Sequence, residues 1–208
     1  GPRLRDDLVR EVTLSSQLRP RIDAALAETL RSKLQRTARG YAPAPGDELT
    51  AWVGERLAVP EGEWRELLDA VSRDHGSAPD EVLAGLAGRA VWLVPGDRRE
   101  RVLVAVEELP RLMLALERGL AELAPRDLDG GAPPAGLESA LERLAPAADD
   151  PAATLESVLG EWLRAYGPVP LERIAKLFGL GPALLRAALD ALVEADEVVV
   201  DPITDGTV

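Results

Sequence analysis

Residues 150–200 read DPAATLESVLGEWLRAYGPVPLERIAKLFGLGPALLRAALDALVEADEVVV, three short helices followed by a strand. Asp150 caps the first helix, and Pro151 takes its first position, where a missing N–H costs nothing. Leu155, Leu159, Trp162, Leu163 and Tyr166 then recur on one face at helical spacing. Gly167 ends that helix. Pro170 opens a second one with Ile174, Leu177 and Phe178 inward, and Gly179 stops it. Gly181-Pro182 launches a third, carrying Leu185, Leu189, Leu192 and Val193. Val198 to Val200 is β-branched and reads as the first strand of a wing. The order is that of a winged helix-turn-helix, an architecture that binds DNA, docks proteins, or does both.

Upstream, part of the pattern repeats. Pro60 to His75 is an amphipathic helix with Trp64, Leu67, Leu68 and Val71 on one side. Gly76 ends it, and a second helix, Asp80 to Leu86, follows Pro79. A shift of 91 residues places Gly76 on Gly167, Pro79 on Pro170, Glu81 on Glu172 and Leu86 on Leu177, which predicts two related helix-turn-helix units. After Leu86 the units diverge. Arg89 to Val94 and Arg101 to Val106, rich in Val around Pro95-Gly96-Asp97, predict a β-hairpin. Further helices are expected over 3–13, Leu18 to Arg39, Asp47 to Leu57, Glu107 to Leu123 and Leu137 to Leu144. In the second of these Leu18, Ile22, Leu26, Leu30 and Leu34 step by four along one face, with Arg31, Arg36 and Arg39 off it.

The fold class is therefore mainly α within α+β. A unit over 1–124 holds a helix-turn-helix and the hairpin. A Gly/Pro-rich linker with a short helix spans 125–149, and a winged-helix domain spans 150–208. Each of the two units is expected to enclose its own apolar core. Gly1-Pro2 resembles a protease scar, and the chain stops two residues after the turn dipeptide Asp205-Gly206, so the expectation is a fragment truncated at the wing.

Composition narrows the chemistry. The 208 residues contain no cysteine, which excludes disulfides and thiolate ligands or nucleophiles. No apolar run reaches the ~18 residues of a membrane span, and a cytoplasmic location is expected. His75 is the only histidine, and its neighbours Asp74 and Ser72 point elsewhere around a helix, so no triad forms from them. Glu107-Glu108 and Asp149-Asp150 are explained by their places at element starts. No phosphate-cradling glycine loop or metal-binding motif occurs. Nothing points to an enzyme in this chain, and no cofactor is expected in it.

The net charge is −12, the wrong sign for a module that lives on phosphate backbones. Residues 1–44 carry nine basic and five acidic residues, +4, which leaves −16 for the rest. DNA contact is therefore expected at Arg31, Lys33, Arg36 and Arg39, and secondarily at Arg173, Lys176 and Arg186. A solvated helix surface competes with a phosphate-binding ridge as the explanation of the first group. The outward row of the third helix, Arg186, Asp190 and Glu194, is a poor base-reading set. Trp52, Trp64 and Trp162 sit on apolar helical faces, as core does. Trp92 lies in the hairpin, where one face of its strand has room to stack a base.

The segment 162–180, WLRAYGPVPLERIAKLFGL, resembles the C-terminal region of large helicase-related (Lhr-type) superfamily 2 DNA helicases. WRELLDAVSRDHG and the hairpin around Trp92 extend the likeness upstream. The resemblance implies a noncatalytic DNA-associated accessory or assembly region of an ATP-dependent, DNA-unwinding repair protein. ATP and Mg would be bound elsewhere in that parent, and other domains, subunits, DNA or further copies of the chain are the implied partners. The alternative is an acidic winged-helix module for protein–protein interaction or oligomerisation, without DNA contact.

Overall fold

The structure is a computed structural model that describes residues 24–96, 100–144, 150–166, 169–198 and 200. It is mainly helical around a small antiparallel sheet. In chain order the α-helices are α1 (Ala24–Leu34), α2 (Asp47–Arg56), α3 (Glu61–His75), α4 (Pro79–Leu86), α5 (Leu109–Ala115), α6 (Leu137–Leu144), α7 (Pro151–Arg164), α8 (Leu171–Phe178) and α9 (Pro182–Glu194). The strands are β1 (Val59–Pro60), β2 (Ala90–Leu93) and β3 (Val102–Ala105), in the order β1-β3-β2.

The sheet is the middle layer. All of its residues are buried, on both faces. Ala90, Trp92, Leu103 and Ala105 point into one cluster with Leu49 and Val53 of α2 and Trp64, Leu67, Val82 and Leu86 of the first helix-turn-helix. The alternate positions, Val91, Leu93, Val102 and Val104, point into a second cluster with residues of α5 and α7–α9. Side chains alternate across a strand, so two short, continuously apolar strands serve two helical layers at once. Both edges are occupied as well. β1 covers β3, with Pro60, which has no N–H to give, at the rim. On the far side Trp92 exchanges backbone hydrogen bonds with Arg126, both at 2.9 Å, and Val94 N–H reaches Leu123 O.

The core expected within 1–124 forms on the first face, whereas the separate core expected for 150–208 is replaced by one shared with the first unit. Leu109, Leu112 and the hairpin residues pack in one cluster with Leu155, Leu159, Trp162, Phe178 and Leu189. The hairpin brought this about, because its second apolar face packs in one cluster with residues of α5 and α7.

Local signals placed most elements correctly. Asp150 Oδ1 accepts from Ala152 N–H at 3.2 Å, with Pro151 the first helical residue. Gly76 and Gly179 end α3 and α8 in the left-handed region, at φ 69° and 64°. Both helix pairs of the 91-residue repeat form, α3–α4 and α7–α8.

Three expectations need correction. The helix expected over Glu107 to Leu123 is a 3-10 turn at Val106–Glu108, then α5, then a second 3-10 turn at Leu120–Leu123. Glu117 adopts φ 50° at the break, which swings Leu123 to full burial against the edge of β2. Over Leu18 to Arg39 the described helix ends at Leu34, where Arg36 turns left-handed at φ 56°. Leu26, Leu30 and Leu34 of the shared face are exposed. The wing strand expected at Val198 to Val200 does not form at Val198, which packs irregularly against the core, or at exposed Val200. Val199, residues 201–208, the helix expected over 3–13, and Leu18 to Asp23 lie outside the described residues.

Candidate functional site

The seven cations expected to meet DNA fall into two groups. Arg31 pairs with Glu28 at 2.8 Å, one helical turn back. Arg36 pairs with Glu48 of α2 at 2.9 Å. Arg173 of α8 reaches Glu100 beside the hairpin at 2.5 Å. These three are neutralised by the chain's own carboxylates. Lys33 is exposed with its ammonium 5.6 Å from the Tyr41 ring centre. Arg39, Lys176 and Arg186 are exposed and form no ion pair among the described residues. Lys176 and Arg186 lie on consecutive helices of the second helix-turn-helix, whereas Arg39 sits in the turn region after α1. No continuous basic ridge results. On α9 the exposed row of Arg186, Asp190 and Glu194 is net acidic.

The tryptophans are all buried, Trp92 included. The Arg101 guanidinium lies 4.5 Å from the Trp92 ring centre, and Nε1 donates to Leu128 O at 3.2 Å. None of the four is open to a base. His75 Nε2 lies 3.0 Å from Ala42 O, which ties it to the loop after α1 rather than to a catalytic partner. Its neighbour Asp74 does more for that loop, accepting from Gly40 N–H at 2.7 Å, Ala42 N–H at 3.3 Å and Arg73 Nε at 2.8 Å.

Asp74 carries a pH prediction. The Arg73 guanidinium first, and then the two amides, outweigh desolvation and hold its carboxyl at about 2, against 3.8 ordinarily. A depressed folded-state pKa stabilises the fold fully above 3.8, and that contribution is lost as pH falls toward 2. Denaturant midpoints followed across that window should fall for the native chain. In Asp74→Asn this component of the slope should be missing, and equal slopes in the two proteins would contradict the assignment.

The most heavily built polar site was not legible in the sequence. Arg56, at the end of α2, is 7% exposed. Its guanidinium donates to Ala165 O at 2.8 Å, just past α7, and to Leu34 O at the end of α1. It lies 4.9 Å from the Trp52 ring centre and 5.8 Å from that of Tyr166. Tyr166 stacks on Trp162 at 4.2 Å and donates to Glu63 Oε2 at 2.7 Å, while Trp162 Nε1 donates to Ala58 O at 2.9 Å. Four elements, α1, α2, α3 and α7, therefore meet at one cation. Its opposing charges are the carbonyl ends of two helices, where the helix dipole is negative. Burial pulls the Arg56 guanidinium below its ordinary value and pushes the Glu63 carboxyl and the Tyr166 hydroxyl up. The cluster has the character of a clasp between the helix-turn-helix units.

A second arginine works alike. Arg118 donates to Pro95 O and Gly179 O, fastening the end of the hairpin to the end of α8. Among the described residues no group of three His, Cys, Asp or Glu side chains is placed to hold a metal ion, and no helix is long and apolar enough to cross a membrane. No protein-family model matches the chain, and no curated protein matches it significantly.

Proposed function

We propose that this chain is a noncatalytic accessory region of an Lhr-type, ATP-dependent DNA helicase acting in repair, and that it serves assembly and positioning more than grip on DNA. ATP and Mg would be handled by other parts of such a parent. The resemblance over residues 162–180 supports the parent. The observation that carries the assembly role is the fate of the basic residues: Arg31, Arg36 and Arg173 are spent on Glu28, Glu48 and Glu100. An arginine already paired must break that pair to take a phosphate, and the acidic remainder repels the duplex. A second role, weak touching of DNA, is favoured by Lys176 and Arg186, which are exposed and unpaired on α8 and α9 among the described residues.

Fluorescence anisotropy of a labelled duplex against salt separates the two. Each neutralised phosphate contributes about 0.9 to the log–log slope. We expect a slope no steeper than about 3, hence very few contacts, with binding gone at moderate salt. Changing Lys176 and Arg186 to Glu should remove what binding there is, and changing Arg31 and Arg36 should alter it less. Tight, salt-resistant duplex binding would overturn the assembly role.

A further inference from the structure

Among the described residues, no side chain covers a face of helix α1. Every side chain described in it is exposed except the half-buried Ser32. Leu30 and Leu34 are 56% and 46% exposed, and successive fourth residues on a helix share one side. The helix is fastened at its C-terminal end, where Leu34 O meets Arg56 and Gln35 is buried. Eleven residues make a helix that is marginal in water by itself, so its stability should come from packing its apolar stripe. Lys33 flanks the stripe, with Arg31 at its shoulder and Glu28 behind.

A matching surface exists elsewhere on the same chain. Pro110, Met113, Leu114 and Leu141 line an apolar groove of about 480 Å³ between α5 and α6. Its lining includes one carboxylate, Glu117, and one cation, Arg118, whose guanidinium is engaged by the Pro95 and Gly179 carbonyls. Glu138 and Glu142, both exposed, flank Leu141 along α6. An apolar stripe flanked by the exposed Lys33 thus meets an apolar groove with an acidic rim, the pairing by which a helix seats in a groove.

We propose that α1 of one copy docks its leucine stripe into the α5–α6 groove of a second copy, making a head-to-tail contact between copies of this chain. The inference rests on the assembly role above, to which it adds the surface and the partner. Unlike surfaces meet, so a pair keeps one free groove on one copy and one free stripe on the other, and larger rings or chains follow.

Light scattering of the full chain over a concentration series tests it. The mass should rise above the 22.2 kDa of one copy. L30D/L34D removes the stripe and L114D spoils the groove, and each should weaken association at least tenfold. Leu30 and Leu34 are exposed and Leu114 is half-exposed, so the fold should survive, as circular dichroism will show. E117R serves as a second groove variant should L114D unfold. Mixing the stripe variant with the groove variant leaves one sound stripe and one sound groove, and should yield a dimer and nothing larger. A chain that is monomeric at every concentration overturns the proposal. So does association that survives the groove variants, the sign of stripe pairing with stripe. Both outcomes leave the assembly role standing, which salt-resistant duplex binding alone would remove.

Discussion

Trp162→Ala should lower the unfolding free energy by about 3–5 kcal/mol, the range for removing a large aromatic side chain from a packed core. Trp162 is 1% exposed, stacks on Tyr166, meets Phe178 edge-on with ring centres 5.3 Å apart, and satisfies Ala58 O. Alanine leaves a cavity and also strips that fully buried carbonyl of its donor, a further cost on the order of 1 kcal/mol. Domains of this kind are stable by about 5–15 kcal/mol, so the variant sits near the threshold of folding. Because Ala58 lies between α2 and β1, the loss should lower the stability of the whole chain, in a single transition. Urea unfolding would show it. A loss below about 1 kcal/mol would mean that Trp162 does not join the two halves.

Arg56→Met should cost about 2 kcal/mol, and the loss should centre on α1. Two effects oppose one another. Methionine no longer satisfies the Leu34 and Ala165 carbonyls, and hydrogen bonds to a charged group carry about 1.5–3 kcal/mol each. Against this, a buried guanidinium is itself costly to desolvate, as its lowered pKa indicates. Leu34 is also exposed enough for water to reach its carbonyl. The net loss is thus smaller than two full hydrogen bonds. Lysine should not rescue it, since a point charge cannot serve two carbonyls and two rings in one plane. Hydrogen exchange should speed up first at α1 and at the end of α7. Unchanged protection at both ends would remove Arg56 from its place as the clasp.

The legible and illegible parts of the fold differ in range. Asp150-Pro151, Gly76 and Gly179 act on neighbours within a turn, so their elements followed from local chemistry. The hairpin was legible too, while its burial on both faces runs against the open face expected at Trp92 and yet had a signal. AVWLV and VLVAV are continuous apolar runs rather than alternating ones, which is the mark of a strand with two covers. That mark outweighs the room for base stacking allowed to Trp92. On α1 periodicity stops short, because spacing by four shows that a face exists and not whether anything covers it. Arg56 had no signal at all. Its partners are 22 and 109 residues away, and an arginine at a helix end looks like any solvated one. The ion pairs of Arg36 and Arg173 span 12 and 73 residues, so the loss of the basic ridge was equally invisible along the chain.

The shared central layer is tested most directly by the isolated segment 150–208. In the intact chain Leu155, Leu159, Trp162 and Phe178 are buried in a cluster that also contains Val91, Val104, Leu109 and Leu112. Cut away from the hairpin and α5, the three helices α7–α9 should lack most of that cover. Far-ultraviolet circular dichroism with urea titration of the segment should then show a largely unfolded chain, or a weak and gradual transition. A cooperative transition, with stability close to that of the full chain, would show that the second helix-turn-helix closes its own core and that the sheet is not shared.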